Sequence, residues 1–168
     1  ANNASLAGSS GITAGVYCEN KFGLKELNNY VFTGIFGING NSGIGMIVSY
    51  GGSKEYNRSQ FGLAYGGSLG RINIGVRFNY NMIRIAGFGS SGALTYELGS
   101  TWKITEKFFS GIQISNPQGG KFGKDGTEKL PSVYSIGAGY ECSGQLLVTV
   151  SVIKEESKPV NVEAGLQY

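Results

Sequence analysis

Histidine is missing altogether from the 168 residues. That absence removes the commonest general base, the commonest metal ligand and the usual partner of a nucleophilic serine or cysteine. Cysteine is scarce: Cys18 and Cys142 cannot make a zinc site without other ligands. Proline occurs only three times, and charged residues make up 15% of the chain, well below the roughly 25% usual for soluble domains. The net charge of +3 is small and its basic residues are scattered, which argues against nucleic acid as a partner. No apolar run approaches the ~20 residues that a membrane helix needs. At Ala1 there is no charged stretch followed by an apolar core, as a leader would have, so a leader has been removed or was never present. These absences point away from an enzyme and away from any bound cofactor or metal.

Glycine, by contrast, is abundant at 29 residues, and ten tyrosines and nine phenylalanines accompany it. With 40% of the chain hydrophobic, disorder is an unsuitable explanation. Aromatics beside so much glycine indicate β-structure with closely approaching backbones. The length suits one domain, 1–168.

Alternation of period two recurs from end to end and predicts ten strands. The clearest segment is 71–83, with Ile72, Ile74, Val76, Phe78, Tyr80 and Met82 on one face and Asn73, Gly75, Arg77, Asn79 and Asn81 on the other. Further segments lie near 10–22, 29–39, 43–52, 58–67, 92–103, 107–116, 131–142, 145–154 and 160–168. In two of them Val31 and Ile35, or Phe109, interrupt the polar face. Most segments have the ~9–11 residues that cross a bilayer at a tilt, longer than the ~5–6 of globular strands. Connections alternate between longer (23–28, 53–57, 84–91, 117–130, 155–159) and shorter (39–42, 68–70, 104–106, 143–144), as outer-membrane barrels have them. Aromatics fall into two bands: Phe22, Tyr30, Tyr50, Phe61, Tyr80 and Tyr134 near the long-loop rim, Phe36, Tyr65, Trp102, Phe108, Tyr140 and Tyr168 near the short-turn rim. Such bands match the aromatic girdles at membrane interfaces, although Tyr and Phe are also simply common in strands.

The fold expected is therefore all-β: an antiparallel up-and-down transmembrane barrel of about ten strands, surrounded by the lipid of a Gram-negative outer membrane. Its polar, lumen-facing residues include Arg77, Asn79, Glu97 and Gln60. A hairpin centred near residue 87 would set Arg77 opposite Glu97, as an ion pair bracing the lumen or as a charged constriction in a pore. Gly45, Gly62, Gly75, Gly99, Gly137, Gly139 and Gly165 also point inward on this tracing, leaving room for bulky neighbours or a plug. Cys18 and Cys142 belong to distant strands and read as small apolar-face residues. The stretch 119–126 has the glycines of a phosphate loop without its spacing, its Ser or Thr, or its helix, and reads as a solvated outer loop.

Several segments resemble a known family. Asn2-Asn3-Ala4-Ser5-Leu6-Ala7-Gly8 is similar to the Asn-Pro-Ala-Gly-Leu-Ala segment before the first strands of PorV/PorQ-type outer-membrane barrels, relatives of the FadL fatty-acid channels. Tyr17 with Glu19-Asn20 and Phe22-Gly23-Leu24-Lys25-Glu26-Leu27-Asn28 resembles their first outer loop. Phe61-Gly62-Leu63-Ala64-Tyr65-Gly66 and Ile114-Ser115-Asn116-Pro117 look similar too. Asn3 and Ser5 depart from the pattern, standing where it has proline and glycine. The resemblance implies a barrel without chemistry, acting with a protein partner in a secretion or surface assembly or passing hydrophobic solutes, and it implies more strands than ten. A soluble lipocalin-like barrel with an apolar, ligand-binding interior is the remaining alternative.

Overall fold

In the computed structural model, residues 2–20, 28–122 and 128–168 are described. A 3₁₀ helix, Asn3–Gly8, precedes ten long strands: β1 Ile12–Asn20, β2 Asn28–Gly37, β3 Ser42–Gly52, β4 Tyr56–Leu69, β5 Ile72–Ile85, β6 Gly89–Lys103, β7 Phe108–Ser115, β10 Val133–Ser143, β11 Leu146–Glu155 and β12 Asn161–Gln167. Between β7 and β10 lies a short hairpin, β8 Lys121–Phe122 and β9 Glu128–Lys129. The ten long strands form one antiparallel sheet in sequence order, each next to its neighbours in the chain apart from that hairpin.

The sheet is open rather than closed. β1 and β12 are its two edges, and neither pairs with the other, so the barrel ring expected from the alternation is not completed among the described residues. Period-two patterning dictates which side chains share a face, and pairs neighbours, but it carries no information about which strand meets the last one.

Loop lengths also depart from expectation. The connections 53–55 and 86–88 are only three residues long, because Gly89, Ser90 and Ser91 continue the ladder opposite Ile85, Arg84 and Ile83. Phe22 and residues 123–126 of the glycine-rich stretch lie outside the described residues.

The register climbs steadily. One row of partners runs Ile12, Phe36, Ile44, Tyr65, Val76, Leu98, Ile114, Tyr134, Lys154. It starts at the short-turn end of β1 and finishes eight residues from the short-turn end of β11, eight strand steps away. An advance of one residue per strand corresponds to a tilt of roughly 35°, given a rise of about 3.3 Å per residue and a strand spacing of about 4.8 Å. The same row carries Tyr65 and Tyr134, which sit towards opposite rims only because the strands slant.

Burial is inverted relative to a soluble sandwich. Ile44, Val48, Leu63, Phe78, Leu98, Ile136 and Val150, all on one face, are exposed. So are Tyr30, Tyr50, Tyr65, Tyr80, Tyr134 and Tyr140, with Tyr168 at the chain end, while Trp102 is half-buried. Cys18, opposite Tyr30, shares this apolar face, and both Cys18 and Cys142 are free, exposed thiols. The buried side chains Asn79, Asn81, Thr95 and Glu97 are on the polar face.

Candidate functional site

The polar face of β3 to β6 is paved with glycine, and the 3₁₀ helix lies on that pavement. A Cβ at Gly66 would stand 2.8 Å from Leu6 Cβ and 2.9 Å from the Asn3 carbonyl oxygen. At Gly75 it would reach the Ala4 nitrogen at 2.5 Å, and at Gly43 the Leu6 carbonyl oxygen at 2.6 Å. Gly99 lies under the Asn2 side chain, and Gly45 faces the Leu6 methyls. Any larger residue at these points would lift the helix, which explains why inward glycines are so numerous there. Asn3, Ala4, Leu6 and Ala7 are buried as a result.

Asn2 caps the helix. Its Oδ1 accepts from the Ala4 amide at 3.0 Å, and its Nδ2 donates to the carbonyls of Ser100 (3.1 Å) and Ile112 (2.9 Å). One side chain thus satisfies an otherwise unpartnered helix amide and ties the segment to β6 and β7.

Beneath the helix sits the Glu97 carboxylate, 7% exposed. β5 and β6 pair with Arg77 directly opposite Glu97, and the two form an ion pair. Asn79 Nδ2 donates to the same carboxylate oxygen, Oε1, at 2.9 Å. The other oxygen, Oε2, accepts from Gln113 Nε2 at 3.0 Å and Asn3 Nδ2 at 3.3 Å. A buried carboxylate so surrounded has its charge matched and its lone pairs occupied, which such a group requires. The arrangement is suited to bracing: it links β5, β6, β7 and the helix through one group. Arg77 Nε and the Asn79 Oδ1 have no hydrogen-bond partner among the described residues.

Of the polar-face residues expected from the sequence, Arg77, Asn79 and Glu97 come together in this cluster. Gln60 does not join it; it lies opposite Asn81, whose Nδ2 donates to Thr95 Oγ1 at 3.1 Å. Asn2, Asn3 and Gln113 escaped the sequence reading. Extending the Arg77 register across one more hairpin leads to Ser115; Gln113 pairs with Gly99 and reaches Glu97 from the diagonal position two residues along β7. The two asparagines stood out only within the segment that resembles the family motif, and the excess of inward glycine was the one sign that something lies on that face.

A second cover lies at the long-loop end. Phe122, 4% exposed, packs with Ile83, Ala93 and Leu130. Within the described residues 119–122 this corrects the expectation of a solvated loop at 119–126, since Phe122 turns inward to bury apolar area, while 123–126 lie outside the described residues. Asn116, at φ 54°, directs the chain back: its Nδ2 donates to the Leu130 carbonyl at 2.6 Å and its Oδ1 accepts from the Gly120 amide at 2.9 Å. On the exposed rim nearby, Lys129 Nζ donates to Glu156 at 2.6 Å, and the Glu156 carboxyl is held below the usual carboxylate range by that bond and by the Ser132 amide.

The residues that seemed to interrupt the polar face do lie on it. Phe109 faces Gly139, where any Cβ would run into the aromatic ring, and Val31 pairs with Ser49 and Ile35 with Gly45. Among the described residues no group of three His, Cys, Asp or Glu is placed to hold a metal. Among the described residues no helix is long and apolar enough to cross a membrane, which says nothing about crossing by strands. Neither the protein-family models nor the curated proteins compared with the chain match it.

Proposed function

We propose that this chain is the wall of an outer-membrane β-barrel whose interior is occupied by its own N-terminal segment. In this reading it is a non-enzymatic structural or partner component of a secretion or surface assembly, of the kind that its resemblance to PorV/PorQ-type barrels implies. The observation that carries the reading is the inversion of burial: the apolar face of the strands is exposed while Asn79, Asn81, Thr95 and Glu97 are buried on the other face. In water that arrangement forfeits the apolar burial that stabilises a domain, whereas in lipid the apolar face is at home. The strand slant of roughly 35° is at the lower end of the range for barrels and supports it further. Lipid tolerates no unpaired strand edge, so the reading requires β1 and β12 to be sealed, by each other or by further strands.

A braced carboxylate and a seated helix favour an occluded interior over an open pore. The test is electrophoresis of the detergent-extracted protein, boiled and unboiled, after membrane fractionation. Faster migration of the unboiled sample, recovered with the outer membrane, is expected. Recovery in the soluble fraction without a shift would overturn the membrane reading. Steady single-channel conductance in planar bilayers would instead favour a channel for small or hydrophobic solutes.

A further inference from the structure

The N-terminal helix covers only part of the polar face. Over β7, β10 and β11 the helix does not cover the face, which holds a cavity of about 420 Å³, within the 300–1,000 Å³ typical of small-molecule sites, with the Asn2 side chain at its edge over Gly111. The register defines its shape. Gly111 and Gly137 are partners on adjacent strands, flanked in the same row by Thr101 on β6 and Ser151 on β11. Two adjacent glycines between two hydroxyl residues make a trough, with its floor at backbone level and its walls about 14 Å apart across three strand spacings. The neighbouring row on one side contributes Gln113 and Ser135, and on the other side Phe109. The side chain of Asn2, at the start of the N-terminal helix, borders the same cavity.

Three chemical features narrow what fits. No Lys, Arg, Asp or Glu lines the cavity, so a charged ligand would lose its hydration without gaining a counter-charge. The hydroxyls of Thr101, Ser135 and Ser151 make no hydrogen bond to any described residue, and each can both donate and accept. Phe109, 38% exposed, offers the cavity an aromatic ring, beside the glycine, hydroxyl and amide groups of its floor and the aliphatic Ile112, Ile136, Ala138 and Val150 that also line it. An alkyl chain would satisfy the ring and leave the hydroxyls unused.

We propose that this trough binds a neutral sugar of one or two rings, with an apolar sugar face against Phe109 and sugar hydroxyls bonded to Ser135, Ser151 and Thr101. The trough belongs to the polar face itself and does not depend on lipid around the apolar face, so this proposal and the membrane reading stand or fall by separate measurements.

Saturation-transfer NMR on the full chain tests it, in lauryldimethylamine oxide, a detergent without a sugar headgroup. The probes are glucose and sucrose, with glucuronate and choline as charged controls and laurate as an apolar one. Transfer to the neutral sugars alone is expected, falling at least fivefold in Phe109→Leu and two- to fivefold in Ser135→Ala/Ser151→Ala. Should Phe109→Leu fail to fold, judged by its circular dichroism and urea midpoint, Ser151→Trp fills the trough from its wall and is expected to abolish transfer. No transfer to either sugar, equal transfer to glucuronate, displacement of sugar by laurate, or undiminished transfer in the folded variants would overturn the proposal.

Discussion

The two halves of the polar face show the same strand chemistry put to different use. Over β3 to β6, inward glycines lie under a helix, and the polar groups between them are spent on one another: Glu97 takes four donors, and Asn81 bonds Thr95. Over β7 to β11 no helix covers the inward glycines: Gly139 lies under the Phe109 ring, Gly111 is reached from the N-terminal segment only by the Asn2 side chain, and hydroxyls at Ser135 and Ser151 are left free among the described residues. A glycine row therefore creates room without specifying its use. What distinguishes the halves is whether a buried charge anchors an occupant there.

That distinction ranks the expected effects of mutation. Glu97→Leu leaves the Arg77 guanidinium part-buried without its counter-charge, and loss of one partner of such a pair costs about 3 kcal/mol or more. The urea midpoint should fall sharply, and Arg77→Met in the same chain should recover most of it. An unchanged midpoint would show that the brace contributes nothing.

Gly75→Ala should be next, at roughly 1–3 kcal/mol, because the new methyl meets backbone of the N-terminal helix. Limited proteolysis should then reach residues 2–8. In the half that the helix leaves uncovered, Gly137→Ala meets its nearest atom only at 3.1 Å and should cost less. Equal costs at the two positions would break the comparison.

Asn2→Ala removes the helix cap and two bonds to strand carbonyls, for a loss of about 1 kcal/mol. Its readout is the same proteolysis, without a change in unboiled migration.

The smallest effect is at the rim. Because the Glu156 carboxyl is depressed by its bond to Lys129, the contact is present above the ordinary carboxylate range and is lost as pH falls through the lowered value. Lys129→Met should bring the Glu156 pKa back up towards the ordinary range, as measured by carboxyl chemical shifts. No upward move would show that the rim pair is not formed.

Much of this was legible in the sequence because β-structure is repetitive. Alternation located all ten long strands, and a three-residue hairpin at 86–88 makes residues equidistant from its centre partners, so Arg77 opposite Glu97 follows from position alone. The helix was not legible as an element. Six residues of 3₁₀ structure are too few to show a period, and its sequence of small residues has no amphipathic pattern. The inward turn of Phe122 was hidden for a similar reason, since a two-residue strand shows no alternation. The sheet's open edges lie beyond local pattern altogether.

The central claim is that the apolar face meets lipid. Single cysteines placed in turn at 148–153 of β11, with Cys18 and Cys142 replaced by serine, would carry a bimane label in liposomes containing spin-labelled phospholipid. Strong quenching at Val148, Val150 and Val152, with little at Thr149, Ser151 and Ile153, is the predicted result. Quenching without alternation, or alternation in the opposite phase, would contradict it.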